Sequence, residues 1–233
     1  ISGEKVMEIL KIKNLNLRIH EKEILKNISF EIEEGEIIGL IGESGSGKTI
    51  FTKYILGILP IAAHFTQESF EVVPKIGAIS LNPTVKIRKQ LQHLYISHYG
   101  NKKNWKEKIE SLLEDVGLDK KKNFLDKYPH ELSGGEQQRI VIMGALIGEP
   151  NFLIADEVTT ALDVETKIEI IKFFKKLQKK LKISILFITH DLSILKDFAD
   201  KIYVMYHGEI IDENHPYRKQ LFQLSQNIWR RKQ

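Results

Sequence analysis

The chain contains no cysteine, which excludes disulfides, thiolate metal sites and cysteine nucleophiles. It has no run approaching the roughly 18 consecutive apolar residues of a membrane-spanning helix, so any membrane role is expected to pass through a partner. The opening residues mix apolar and charged types, with Glu4 and Lys5, and do not read as a secretory signal. Charge of one sign is not concentrated anywhere. Against 35 Lys and Arg stand 31 Asp and Glu, and the lysines are scattered or in short runs such as Lys120–Lys122 and the tail Arg230-Arg231-Lys232. A nucleic-acid footprint needs clustering on one face, so these read as solvated surface charges and no nucleic-acid partner is expected. No internal repeat appears.

Short β-branched segments, Glu8 to Leu17 and Ile24 to Ile32, open the chain and predict antiparallel strands. After the turn pair Glu34-Gly35, the run Ile37 to Ile41 is apolar on both faces and suits a central strand. Helical periodicity follows from Ile50 to Leu59 and stops at Pro60. Residues 86–125 differ in texture: Leu91, Leu94, Ile109, Leu112, Leu113 and Val116 recur at helical spacing among charges. Buried strands are expected at Asn151 to Ala155 and Ile183 to Thr189, with helices at Glu136 to Ile147 and Lys167 to Leu181. Ile202 to Met205 and Glu209 to Ile211 read as a final hairpin. Alternating strands and helices in the second half imply a largely parallel α/β core.

Gly42-Glu43-Ser44-Gly45-Ser46-Gly47-Lys48-Thr49 matches the phosphate-loop pattern at every fixed position, between a buried strand and a helix. Glycines let the backbone turn several N–H groups inward on a phosphate chain, and the following helix presents its positive end. Lys48 supplies a point charge for the β- and γ-phosphates, and the Thr49 hydroxyl is suited to Mg²⁺. A chance glycine-rich turn would not sit between those two elements. Asp156 and Glu157 end a second buried strand at its carboxyl end, where open α/β sheets bind ligands. Asp156 is assigned to the Mg²⁺ shell and Glu157 to polarising the attacking water. Polar strand ends are common; the phosphate loop is what favours the catalytic assignment.

Leu132-Ser133-Gly134-Gly135-Glu136, followed by Gln137-Gln138-Arg139, resembles the signature motif of ABC-type ATPases. A serine hydroxyl, glycine N–H groups and a helix start form a second anion site without a lysine. Thr160-Ala161-Leu162-Asp163 is similar to the family's D-loop, and Ile188-Thr189-His190-Asp191 to its switch-histidine segment. The resemblance spans essentially the whole chain. It implies ATP and Mg²⁺ as cofactors, a γ-phosphate-sensing role for His190, and a nucleotide sandwiched between one cassette's phosphate loop and the signature of a second cassette. It further implies transmembrane permease subunits, an extracytoplasmic substrate-binding protein acting indirectly, and a place at the cytoplasmic face of the membrane. Ser80-Leu81-Asn82-Pro83, Tyr128-Pro129-His130-Glu131 and His215-Pro216-Tyr217 are similar to the peptide/nickel importer branch, which implies peptide or nickel cargo.

The expected fold is thus an α/β ABC cassette with a mostly parallel core sheet, an antiparallel β flank and a helical subdomain. It would form one ATP-binding domain over 1–233, with core 7–85 and 136–212, subdomain 86–135 and tail 213–233. The rival is a soluble ABC ATPase of DNA repair or translation, which needs a long coiled coil or two cassettes in one chain. A degenerate cassette would lack the lysine, carboxylate or histidine, and all three are here. Three departures from the family stand out. Val158 replaces the usual proline, Ile19 and His20 fall where an adenine-stacking aromatic is usual, and no glutamine loop precedes Ser80. Ile79 and Ser80 read as flanks of missing residues, with a similar jump beside Glu213 and Asn214.

Overall fold

The computed structural model describes residues 8–72, 76–77, 81–101, 103–119, 123–159 and 163–230. Two long strands, β1 (Glu8–Ile19) and β2 (Lys22–Glu33), lead to β3 (Ile37–Ile41) and helix α1 (Lys48–Ile55). Short strands β4 (Ala63–Thr66), β5 (Ser69–Val72) and β6 (Ile76–Gly77) follow. Helices α2 (Ile87–Tyr99), α3 (Trp105–Asp115) and α4 (Gly134–Leu146) precede β7 (Phe152–Asp156). The chain continues through α5 (Val164–Leu181), β8 (Ser184–Thr189) and α6 (Leu192–Leu195). It ends with β9 (Lys201–Tyr206), β10 (Glu209–Ile211) and α7 (Pro216–Arg230). These elements group into two compact units, one from 1–74, 154–158 and 184–233, the other from 75–153 and 159–183.

The first unit holds two sheets. In β2 the period-two pattern buries Ile28, Phe30 and Ile32 and exposes the residues between them. That strand pairs antiparallel with β1, which also pairs with β4 and β5 along its other edge. The second sheet runs in the order β10-β9-β3-β8, followed by the end of β7. β3 is parallel to both β8 and β9, and every residue of β3 and β8 is buried. A run apolar on both faces can sit only in such a central position. α1 begins at Lys48 and closes at Ile55, where Leu56 N donates to Thr52 O at 3.0 Å, short of the span read from periodicity. Beside Glu213 the expected jump is spanned by a closed turn, in which Asp212 accepts from Asn214 N at 2.7 Å and His215 N at 3.0 Å. Ile79 and Ser80 lie outside the described residues.

In the second unit, β6 runs parallel to the first two residues of β7. The helical spacing read over 86–125 becomes α2 and α3, whose Leu91, Ile109, Leu112 and Leu113 are buried. Arg139 of α4 stacks its guanidinium 4.9 Å from the Phe173 ring of α5 and donates to Val116 O at 2.8 Å. One side chain thereby ties three elements.

A backbone junction in the first unit leads to the site. The β9–β10 turn places Gly208 N 2.9 Å from Ser46 O and Gly208 O 2.8 Å from Lys26 N. A Cβ on Gly208 would lie 2.3 Å from Ile24 O, and its φ of +84° is itself unfavourable for other residues. Gly208→Ala is therefore expected to cost at least about 2 kcal/mol. That would lower Tm by about 5 °C or more, readable by calorimetry, with weaker ATP binding because Ser46 loses its anchor.

Candidate functional site

The site starts where β3 stops. Gly42 follows Ile41, and a Cβ there would meet Met205 O of β9 at 2.2 Å, so only glycine lets the loop turn against that strand. Ser46 N then donates to Glu43 O at 3.1 Å, closing the loop before α1 begins. The Lys48 ammonium lies folded within it, donating to Gly42 O at 2.7 Å, Glu43 O at 2.8 Å and Ser46 Oγ at 3.4 Å. Its cationic head is thus held by the loop's own carbonyls at the point where phosphate oxygens would compete for it. Burial lowers the Lys48 pKa, while the charges of Glu157 and Asp156 oppose that shift.

β7 brings Asp156 and Glu157 to the same place. Asp156 stands exposed at the end of β7, yet partial desolvation of its carboxyl raises its pKa, Glu157 raises it further, and Lys48 works against both. Glu157 has φ +53°, and its N–H donates to Ile188 O of β8 at 3.0 Å. That left-handed step is uncommon for a glutamate and turns the side chain at the strand end. His190, just past β8, places Nδ1 3.0 Å from Glu157 Oε2. Its turn is fixed in turn by Asp191, which caps α6 by accepting from Ser193 N at 3.1 Å. Lys48, Asp156, Glu157 and His190 therefore converge within one unit, with Thr49 in the first turn of α1.

The remaining sequence-predicted residues belong to the second unit. Ser133 is the N-cap of α4: its Oγ accepts from Glu136 N at 3.3 Å, and Glu136 Oε2 accepts from Ser133 N at 3.1 Å. Gly134 and Gly135 form the first turn of that helix. Asp163 caps α5, accepting from Thr166 N at 2.9 Å and Thr166 Oγ1 at 2.7 Å, and these bonds lower its pKa. Thr160, Ala161 and Leu162 lie outside the described residues. Near Ile19 and His20, where an adenine-stacking ring is usual, an open cleft is lined by Ile19, His20, Lys22, Ile24 and His64. Sequence reasoning gave no role to Gly208, whose N–H donates to Ser46 O of the phosphate loop.

A protein-family model described as ABC transporter matches residues 25–160. The oligopeptide transport ATP-binding protein OppD of Bacillus subtilis is 35% identical over 252 positions, covering 91% of this chain and 70% of that protein. The dipeptide transport ATP-binding protein DppD of Lactococcus lactis is 33% identical, covering 91% and 68%. OppF of Streptococcus mutans, another oligopeptide transport ATP-binding protein, is 36% identical, covering 90% and 75%. Among solved structures, cbiO1 of Clostridium perfringens, part of the ABC transporter complex cbiONQ, superposes with a TM-score of 0.76 at 27% identity, covering 96% of this chain and 94% of that one. The alignment runs over 252 positions but takes in only 91% of the 233 residues, about 212, so about 40 positions of OppD have no counterpart here.

The raised Asp156 pKa gives a testable sign. Because the shift is upward even with Lys48 nearby, the ionised carboxylate costs stability in the nucleotide-free fold. That cost is present above the shifted pKa and vanishes as pH falls to the unfolded value, where both states are protonated. Asp156→Asn should raise the Tm of nucleotide-free protein slightly at pH 7.5, by less than the roughly 2–4 °C that about 1 kcal/mol is worth in a chain of this size, because solvent screens a carboxylate exposed at the strand end. The gain should shrink as melting is repeated toward pH 4.

Proposed function

From its membership of the ABC transporter family, to which this chain belongs, we propose that it energises uptake of peptides through partner permease subunits. It is an ATP-hydrolysing cassette of that family. The observation that carries the reading is the convergence of Lys48, Asp156, Glu157 and His190 on a glycine-enforced phosphate loop. No helix among the described residues is long and apolar enough to cross a membrane, so coupling to transport needs a membrane partner. The relatives quoted are named for oligopeptide and dipeptide transport, which favours peptide over nickel cargo and a transporter over a soluble ATPase.

On this reading the cassette works at the cytoplasmic face, as one ATP-binding domain with its helical subdomain over 86–135, and receives substrate from an extracytoplasmic binding protein through the permease. Residues 42–49 cradle the phosphates, and Lys48 exchanges loop carbonyls for β- and γ-phosphate oxygens. Glu157 is the base for the attacking water, held until then by His190, which reports the γ-phosphate. Thr49 and Asp156 offer hard oxygen donors of the kind Mg²⁺ takes, and a cation there would offset the unfavourable Asp156 charge. When bound, Mg²⁺ neutralises phosphate charge. Ser133, Gly134, Gly135, Glu136 and Asp163 face the nucleotide of a second cassette, so each site is shared.

Two experiments test this. Labelled peptide uptake, lost in a strain lacking the gene, should return with the wild-type gene and not with Glu157→Gln. In the complete transporter that variant should still bind ATP and hydrolyse it roughly 10²-fold more slowly or worse. Restoration of nickel uptake alone would reassign the cargo, and near wild-type turnover would remove Glu157 from the chemistry. The shared site is tested with Ser133→Arg, which should impair hydrolysis yet leave ATP binding to the isolated chain intact, whereas Lys48→Ala should weaken that binding directly. Equal weakening by both would refute the two-cassette arrangement.

A further inference from the structure

Away from the phosphate loop, the first unit holds an open cleft of about 660 Å³ between β9, β10, the end of α6 and α7. Ile202 of β9 with Ile210 and Ile211 of β10 give it apolar walls, and Phe222 of α7 lines it from the helix side. Two cations address the Phe222 ring. The Arg218 guanidinium carbon lies 5.3 Å from its centroid and Lys196 Nζ lies 5.8 Å away, within reach of attraction by the ring face. A ring face offers no strong acceptor, so most donors of both groups stay available. Arg218 also reaches Ile202 O at 3.4 Å and Glu213 at 3.8 Å, both long for a hydrogen bond. Its side chain is only 18% exposed, whereas that of Glu213 is 89% exposed. Among the described residues, no carboxylate lies within ion-pair distance of the half-buried Lys196. Lys201 differs, being held by Glu31 at 3.1 Å. The fold thus encloses two cations here and makes little use of their charge.

Charge complementarity narrows the ligand. Around the cleft, Lys196, Lys201 and Arg218 are matched in number by Asp200, Asp212 and Glu213. A phosphate, a nucleotide or an anionic lipid surface would meet those acids and gain little net attraction. A zwitterion with an apolar body gains at both ends. Its carboxylate would take the donors of Lys196 and Arg218, its ammonium would meet Glu213, and its side chain would lie on Phe222 and the isoleucines. Because Arg218 and Glu213 form only a loose pair, a ligand offering one terminus to each replaces a weak contact with charge-assisted bonds. The volume falls in the range of roughly 300–1,000 Å³ that takes drug-sized ligands, more than a single amino acid fills. We propose that this cleft is a second ligand site, separate from the nucleotide site, which binds a short peptide by its two charged termini with an apolar side chain against Phe222. Such binding stands without the ATPase reading, and the peptide-uptake reading would make imported cargo its natural occupant.

The test is calorimetric titration of the full chain with alanyl-phenylalanine, its N-acetyl form, its C-terminal amide, free phenylalanine and inorganic phosphate. The free dipeptide should bind, and capping either terminus should weaken it about 10-fold, as expected for losing a hydrogen bond to a charged group. Lys196→Gln and Glu213→Gln should each weaken the free dipeptide about 5–10-fold while keeping the wild-type Tm. The cap penalties should move with them: amidation should cost less in Lys196→Gln, and acetylation less in Glu213→Gln. Lys48→Ala should leave peptide binding unchanged, which separates the two sites. Absence of dipeptide binding at millimolar concentration would overturn the proposal. So would equal affinity for free and capped forms, or cap penalties that neither variant alters. Tighter binding of inorganic phosphate or of free phenylalanine would overturn it in favour of a plain anion site or an amino-acid site. Loss of peptide binding in Lys48→Ala would place the peptide at the phosphate loop and refute a second site. Failure of the unsubstituted chain to bind ATP would instead remove the phosphate-loop reading and leave this one standing.

Discussion

Backbone packed directly on backbone is the constraint from which the nucleotide site follows. Gly42 lies where any Cβ would strike Met205 O, and Gly208 lies where any Cβ would strike Ile24 O. Between them the phosphate loop is held against β9 with no side chain as spacer, and Ser46 O receives Gly208 N. Such a junction leaves the loop little freedom to collapse when empty. The Lys48 ammonium can therefore stay inside it on three oxygen acceptors, ready to be exchanged for phosphate. A loop free to relax would have to be ordered by the ligand, at a cost in affinity.

The same rigidity explains how opposite charges are kept apart and usable. Lys48 is pushed toward neutrality by burial and Asp156 toward protonation, yet each restrains the other's shift. Neither is paired off in a tight salt bridge that phosphate would first have to break. Glu157 is tied instead to His190, and its left-handed φ holds it at the strand end. If Glu157 directs the attacking water as proposed, its left-handed step lies where such strain is usually found, although Glu149 and other residues share that conformation.

How much of this was legible in the sequence depends on how local each feature is. Residues 42–49 were readable because backbone demands fix their identities one by one, and β3 and β8 were readable from unbroken apolar runs. His190 and Glu157 were readable as strand ends, but their 3.0 Å contact was not, since it depends on β7 and β8 meeting. The end of α1 fell at Ile55, because four-residue periodicity carries past a helix that its own last turn has closed. Residues 213–233 read as a tail, whereas Pro216 begins a helix there: a proline that stops one helix is equally suited to the first position of another. The bond from Gly208 to Ser46 spans most of the chain and leaves no periodic trace.

Ser133 and Asp163 show why motif and local structure need separate arguments. In this chain both act as N-caps, and capping alone is a sufficient physical reason for a serine or aspartate at those positions. The Ser133 cap carries Glu136 in the first turn of α4, so the positive end of the helix already faces a carboxylate. An anion approaching that end meets less attraction than it would at a bare helix start, and no lysine in the motif makes up the difference. The phosphate loop has the opposite arrangement, a buried cation and no acid in the first turn of α1. If a nucleotide is shared between cassettes, it must therefore be captured first by the phosphate loop. The signature can add its hydrogen bonds only once the second cassette presents a phosphate whose charge is largely neutralised. Order of assembly then follows from electrostatics: nucleotide first, partner second.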